Sequence, residues 1–375
     1  MARPKKTYLA LFFLGGFLFS LYSYSNYQSL KKRSIAYVIG CAIFDSSMVK
    51  LKEMAGDECA FLKNGDAIVH QDEEFKDGSG PAELIYYDQN GQIKWQRELL
   101  VHHTMKISPD ERILYALSLE KKMYHGQLTK FDKVVALEAS TGKILSSWNA
   151  YSVIENIEQE FGRPLRIEKC PPFNKLNKEW GEVTDEVTHF NSINFMPDGY
   201  GEMKVIINAG RGLVFFFTED LKLSGKYWID RDWMANTHDV QVTDDGEILI
   251  YKNWDKGDES SLEKRSLKDN TLKWKYTRTP EGKPFKAAKF GSVQFFSDST
   301  FLFTDMEKGG HFTTVNSDGT KANDFYYPEI DPSNNLPRMF HTIRRVNYRD
   351  LSADVRSLID RDLEQNLFWK IYKFI

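Results

Sequence analysis

The sequence predicts an all-β protein, a six-bladed β-propeller, on three observations. Short strand-like runs alternate with tight-turn dipeptides over most of the chain. Two kinds of hairpin recur in a fixed order. Clear helical periodicity is lacking until Leu351.

The strand-like runs are Ala67–His70, Glu83–Tyr87, Ile113–Ser118, Lys133–Leu137, Lys204–Asn208, Leu213–Thr218, Glu247–Tyr251 and Thr300–Thr304. Between them stand Asn64-Gly65, Asn90-Gly91, Thr141-Gly142, Asp198-Gly199, Asp245-Gly246 and Asp318-Gly319, pairs suited to the positive φ of tight hairpin turns. One half-unit ends on an outgoing strand with an aromatic residue: ELIYYDQNGQIKWQ, KVVALEASTGKILSSW and GLVFFFTEDLKLSGKYW. The other begins with a histidine or polar residue and forms the next hairpin: HHTMKISPDERILYAL, THFNSINFMPDGYGEMKVIINAG, NTHDVQVTDDGEILIYKN and FGSVQFFSDSTFLFTD. Two hairpins make the four strands of one propeller blade. At roughly 45–55 residues per blade, the chain beyond its first segment holds about six.

Taken in chain order, residues 1–30 read as a basic flank and a signal anchor. Arg3, Lys5 and Lys6 precede Tyr8–Tyr24, a run without a charged residue. Its seventeen residues would span about 26 Å as a helix, against roughly 30 Å of bilayer hydrocarbon. The flanking charges favour a cytoplasmic N-terminus with the remainder outside the cytoplasm, on the periplasmic or extracellular side. No A-x-A cleavage signal follows, so an uncleaved anchor is the favoured reading. Residues 31–47 read as a connecting segment, 48–349 as the propeller and 350–375 as an amphipathic C-terminal helix. Trp95, Trp148, Trp228 and Trp274 recur at hairpin ends and read as packing anchors between blades. Trp233 and Trp254 stand off that pattern and are candidates to line an acceptor pocket.

Composition narrows the function classes. Fifty Lys+Arg against 53 Asp+Glu leave a formal charge of −3, without the cationic footprint of a nucleic-acid binder. A mean hydropathy of −0.48 excludes a multi-span membrane protein. Cys41, Cys59 and Cys170 form no CxxC pair, which argues against a zinc ribbon. Export permits one disulfide among them, and spacing leaves the pairing open.

Of eight histidines, three stand at comparable places in successive units. His103 lies eight residues before Glu111 of its turn, His238 eight before Gly246, and His189 ten before Gly199. A lone histidine at a strand start is most often structural, donating to a neighbouring carbonyl. In a propeller, however, the strand that follows such a connection lies nearest the channel. Equivalent residues from several blades then converge on one volume, as catalysis requires. Zinc ligation by the three is an alternative that Asp185 and Asp239 nearby do not decide.

These segments, in order, also resemble those of a known family. THFNSINFMPDG followed by IINAGR, then NTHDVQVTDDGEILIYKN, SSLEKRSLKD and FGSVQFFSDSTFLFTD, resemble the motifs of bacterial arylsulfotransferases, and HHTMKISPDERILYAL resembles their earlier histidine segment. The resemblance runs from about Leu84 to Asp305, as in a compact, membrane-anchored relative. It departs at Gly210, where the family often has Ser-Ser-Arg. It implies transfer without PAPS, from an aryl sulfate donor to a phenolic or other hydroxyl acceptor, through a sulfohistidine on His238. Arg211 would hold sulfonate oxygens, and His189 and His103 would donate to sulfate or handle the phenol proton. Asn191, Asn253 and Arg265 would contact substrate. No cofactor or metal is implied. The rival expectation is a noncatalytic, membrane-tethered propeller that binds or scaffolds partners in the cell envelope.

Overall fold

The computed structural model describes residues 35–56, 58–71, 82–165, 167–169, 185–230, 236–254, 259–278, 291–296, 300–305, 311–316, 318, 320–327, 330–331, 336–337, 343–347 and 350–361. The predicted anchor, Cys170, Trp233 and the last part of the C-terminal helix lie outside these residues. Among the described residues no helix is long and apolar enough to cross a membrane.

Five antiparallel sheets of four strands and one sheet of six form a six-bladed propeller. From the channel outwards, blade 1 is Ile343–Asn347, Ile35–Ile39, Ala42–Asp45 and Lys50–Glu53. Blade 2 is Glu58–Phe61, Ala67–Gln71, Glu83–Tyr87 and Ile93–Glu98. Blade 3 is Met105–Ile107, Ile113–Tyr124, Gln127–Glu138 and Ile144–Asn149, with Asp185–Glu186 and Glu168–Lys169 added beyond Lys130. Blade 4 is Phe190–Phe195, Val205–Ala209, Leu213–Phe217 and Leu223–Trp228. Blade 5 is Asn236–Val242, Glu247–Trp254, Ser261–Ser266 and Leu272–Tyr276. Blade 6 is Val293–Phe295, Thr300–Asp305, His311–Asn316 and Lys321–Tyr326. From blade 2 round through blade 6 to blade 1, each first strand touches the next, so these strands line the channel.

Blade 1 closes the ring by joining the two ends of the chain. Ile35–Ile39 pairs with Ile343–Asn347, from Ile35 opposite Asn347 to Ile39 opposite Ile343. Residues 35–45 therefore belong to the propeller, not to a connecting segment as expected for 31–47. Their partner lies about three hundred residues away, so the local half-unit pattern does not mark them.

Burial follows blade position. Val205–Ala209 and Leu213–Phe217 are buried at every position, because neighbouring blades cover both faces; this explains the Phe215-Phe216-Phe217 run. Outer strands such as Ile93–Glu98 are mostly exposed. Three of the four recurring tryptophans join blades as expected. Trp95 donates Nε1–H to Ala139 O at 2.9 Å, and Trp274 stacks on Phe301 with ring centroids 4.8 Å apart. Trp148 packs on Phe215 and Phe217 of blade 4. Gly142 has φ +69°, and a Cβ there would lie 2.7 Å from the Trp95 ring, so the Thr-Gly turn also makes room for the anchor. Trp228 departs from this pattern and packs on Phe161 of the helix Ile154–Phe161.

Two further ties sit beside the closure. The helix over 353–361 packs Val355 and Ile359 onto Ala36, Val38 and Ile43, and Asp354 pairs with Lys52 at 3.0 Å. A disulfide joins Cys41 of blade 1 to Cys59 on the first strand of blade 2, across a sequence separation of 18. A loop of that size stabilises by about 3 kcal/mol through the unfolded chain. Cys41→Ser with Cys59→Ser should therefore lower the free energy of denaturant unfolding by about that amount, with the circular dichroism spectrum retained.

Candidate functional site

The upstream ends of three consecutive first strands carry the histidines. His102 and His103 precede Met105 of blade 3, His189 precedes Phe190 of blade 4, and His238 lies on the first strand of blade 5. Leu117 holds the blade 3 segment at both sides: His102 N–H donates to Leu117 O at 2.8 Å, and Leu117 N–H to Thr104 O at 3.1 Å. Between those bonds Thr104 N–H turns back onto His102 O at 3.0 Å, and His103 takes φ +68°. This is the φ of the rare three-residue turn with positive central φ, strained for a residue with a Cβ. In an extended strand His102 and His103 would point to opposite faces. Here their ring centroids lie 3.9 Å apart.

His103 Nε2 lies 3.1 Å from His189 Nε2. His189 Nδ1 is hydrogen-bonded to the Glu186 carboxylate, and His102 Nδ1 lies 3.2 Å from Asp132 Oδ1. Both carboxylates are fully buried. Thr188 Oγ1 donates to Asp132 Oδ2 at 2.8 Å and accepts from Asp132 N–H at 3.0 Å, fixing that carboxylate in place. Burial disfavours charge on His189, but the Glu186 carboxylate, with help from Asp132 and against Arg211, holds its pKa above the ordinary value. The Glu186 carboxylate orients the His189 ring through Nδ1 and leaves its Nε2 facing His103 Nε2.

His238 opens on the same small pocket as His103. Thr104, Lys106, Asn191, Ser192, Asp239 and Gly291 complete its polar lining. A chain of hydrogen bonds crosses blades 3 to 6 beside the pocket. Lys106 Nζ donates to Asn194 Oδ1, Asn194 Nδ2 to Asp239 Oδ1 at 2.7 Å, and Asp239 Oδ2 accepts Val293 N–H at 3.0 Å. Burial pulls Lys106 down to about 8 despite the Asp239 charge, and burial pushes the Asp239 carboxyl up despite Lys106.

Of the residues expected at a site, His103 and His189 are in contact and His238 shares the pocket of His103. Arg211 follows Gly210 in the turn of blade 4, near enough for its charge to act on His189. Asn191 lines the pocket while donating Nδ2–H to Thr237 O at 2.7 Å, so it also positions the residue before His238. Asn253 is buried on the second strand of blade 5, and its carbonyl accepts from Ser260. The structure does not bring Arg265 to the histidines, a correction to the expected substrate contact. It aligns with Ile248 and, through it, Val242. That places it two strand spacings, roughly 10 Å, from the first strand and about 13 Å along from His238. Its guanidinium is bound by Glu263 at 2.6 Å and Asn270 at 3.1 Å. The short SSLEKRSLKD match concerns the third strand of blade 5, which does not border the channel.

Sequence reasoning missed His102, Asp132, Glu186, Lys106 and Asn194. The His102-His103 doublet was visible, but strand alternation hides that both rings turn to one side. Glu186 stands three residues before His189 and Asp132 lies between Phe131 and Lys133 inside a strand, so neither forms a motif.

No known family profile and no curated protein matches the chain. Solved structures do resemble it in fold. BamB from Moraxella catarrhalis is 10% identical, with 78% of this chain and 73% of that one covered at a TM-score of 0.37. A functionally unknown protein from Desulfotomaculum acetoxidans is 12% identical, covering 81% and 83%, with a TM-score of 0.45. The Dos1 propeller is 12% identical, covering 79% and 70%, with a TM-score of 0.39. These likenesses concern fold alone.

Gly210 is held by contacts that leave no room for a side chain. Its N–H donates to His189 O, its C=O accepts from Thr237 N–H at 3.2 Å, and a Cβ would lie 2.5 Å from Asn191 Nδ2. The backbone of blade 4 thereby bridges the segments that carry His189 and His238. Gly210→Ala should cost about 1–3 kcal/mol in urea unfolding, as overpacking does, by driving Asn191 away from Thr237.

Proposed function

We propose that the chain transfers a sulfuryl group, without PAPS, from an aryl sulfate ester to a phenolic or other acceptor hydroxyl through His238. The supporting observation is the contact between His103 and His189 beside a pocket shared with His238. A neutral imidazole nitrogen is a competent nucleophile near neutral pH. In the first half-reaction a His238 nitrogen attacks sulfur, an N–S bond forms, and the ester S–O bond breaks. The aryl oxide leaves with a proton drawn from the His189–His103 pair, whose raised His189 pKa suits a donor. In the second, the acceptor oxygen attacks sulfur, its proton returns to the pair, and the N–S bond breaks to restore His238. Arg211 supplies positive charge for the sulfonate oxygens. The sulfated imidazole stores the group between half-reactions, so the proposed cycle calls for no diffusible carrier.

The proposal includes an anchored position outside the cytoplasm. The Cys41–Cys59 disulfide supports that compartment, since disulfides persist in oxidising surroundings. The rival reading, a noncatalytic envelope scaffold, is favoured by one observation: channel amides staple neighbouring blades. Gln241 Oε1 accepts Phe295 N–H at 3.0 Å, and Gln294 Oε1 accepts Arg345 N–H at 2.8 Å.

Incubation with 4-nitrophenyl sulfate followed by intact-mass measurement separates the two. A transferase gains one sulfuryl increment, loses it when phenol is added, and shows neither change in His238→Asn. A scaffold gains no increment, and His238→Asn is then indistinguishable from wild type.

A further inference from the structure

We infer that His102, His103 and His189 form a binding site for one zinc-class divalent metal ion. The inference rests on the cluster itself and not on the transfer reading. One ligand nitrogen from each histidine lies within 4.8 Å of the other two. The His103 and His189 Nε2 atoms, 3.1 Å apart, are already close to the roughly 3.3 Å between two ligands at tetrahedral zinc with Zn–N bonds of about 2.0–2.1 Å.

Two further features suit a metal. His102 and His189 each have Nδ1 against a carboxylate, Asp132 and Glu186, which leaves Nε2 as the ligating atom on both rings. Metal-bound histidines are oriented in this way, through the other ring nitrogen. The two buried carboxylates also supply negative charge to a cation held by three neutral imidazoles, with the Arg211 charge opposing from one side. The second feature is the backbone at His103. Its φ of +68° is the device that turns adjacent histidines to one side, where an extended strand would separate them. A sulfate contact by His103 and His189 alone does not require His102 to join them. A three-histidine site does.

With three protein ligands, tetrahedral zinc keeps a fourth position for water or an anionic oxygen. His103 lines the pocket that His238 shares, so that position is open to the same class of ligand as the pocket. Imidazole sets favour zinc, copper, nickel or iron over magnesium and calcium.

The test uses metal-stripped full-length protein titrated with Zn²⁺ by calorimetry, and with Co²⁺ to read coordination from its visible absorption. One equivalent should bind, with the intense absorption of tetrahedral cobalt. His102→Gln should weaken binding by about 100-fold, and Asp132→Asn by about 10–100-fold. His103→Gln is the second ligand variant should His102→Gln fail to fold. His125→Gln, at an exposed histidine paired with Glu158, should leave the titration unchanged. A bound ion would take the place of the proton that His103 and His189 share, so the sulfuryl adduct is read on metal-stripped protein; His238→Asn should bind metal normally while losing that adduct, and the two proposals fail separately. Absence of stoichiometric binding to wild type overturns the inference, as does equal binding by wild type and a folded ligand variant.

Discussion

Closure of the ring is the constraint on which the rest of the molecule depends. Five antiparallel residue pairs between Ile35–Ile39 and Ile343–Asn347 join the chain ends and complete the sixth sheet. A closed ring has an axis, and only the first strand of each blade borders it. Residues 86 positions apart, such as His103 and His189, meet because their blades are neighbours around that axis. The helix over 353–361 and the Cys41–Cys59 disulfide both act beside the closure, where an open ring would separate first.

The channel poses a second problem, because first strands have polar backbone groups on their inner side. Those groups need partners once water is restricted. Channel side chains provide them across blade boundaries: Asn191 to Thr237, Asn194 to Val240, Asp239 to Val293, Gln241 to Phe295 and Gln294 to Arg345. These bonds tie the first strands of adjacent blades to one another. The upstream end differs in kind. There the side chains are imidazoles backed by buried carboxylates, and the backbone accepts strain at His103 and a close approach at Gly210. Strain and buried charge both cost stability, and their coincidence at one end of the axis is the pattern of a functional site.

Much of the fold was legible because blade interiors have strong local signals. The apolar runs Leu213–Phe217 and Ile248–Tyr251, the Asn-Gly and Asp-Gly turns, and the repeated tryptophans each reflect contacts made within one hairpin or with the next blade. Closure was not legible at residues 35–45, since its partner strand lies at the far end of the chain. The site was half legible. Repeat position located His103, His189 and His238, because position along a blade maps onto distance from the axis. It could not find Asp132 or Glu186, which reach their histidines through packing, nor reject Arg265, whose strand lies away from the channel.

Convergence of residues from separate blades is the central claim, and histidine-selective ¹⁵N NMR of the metal-free protein tests it most directly. A proton held between His103 Nε2 and His189 Nε2 at 3.1 Å predicts a scalar coupling between those two nitrogens across the hydrogen bond. Replacing His103 by Gln should abolish the coupling and shift the His189 resonances. Uncoupled His103 and His189 resonances, with His189 unmoved by that replacement, would contradict the convergence.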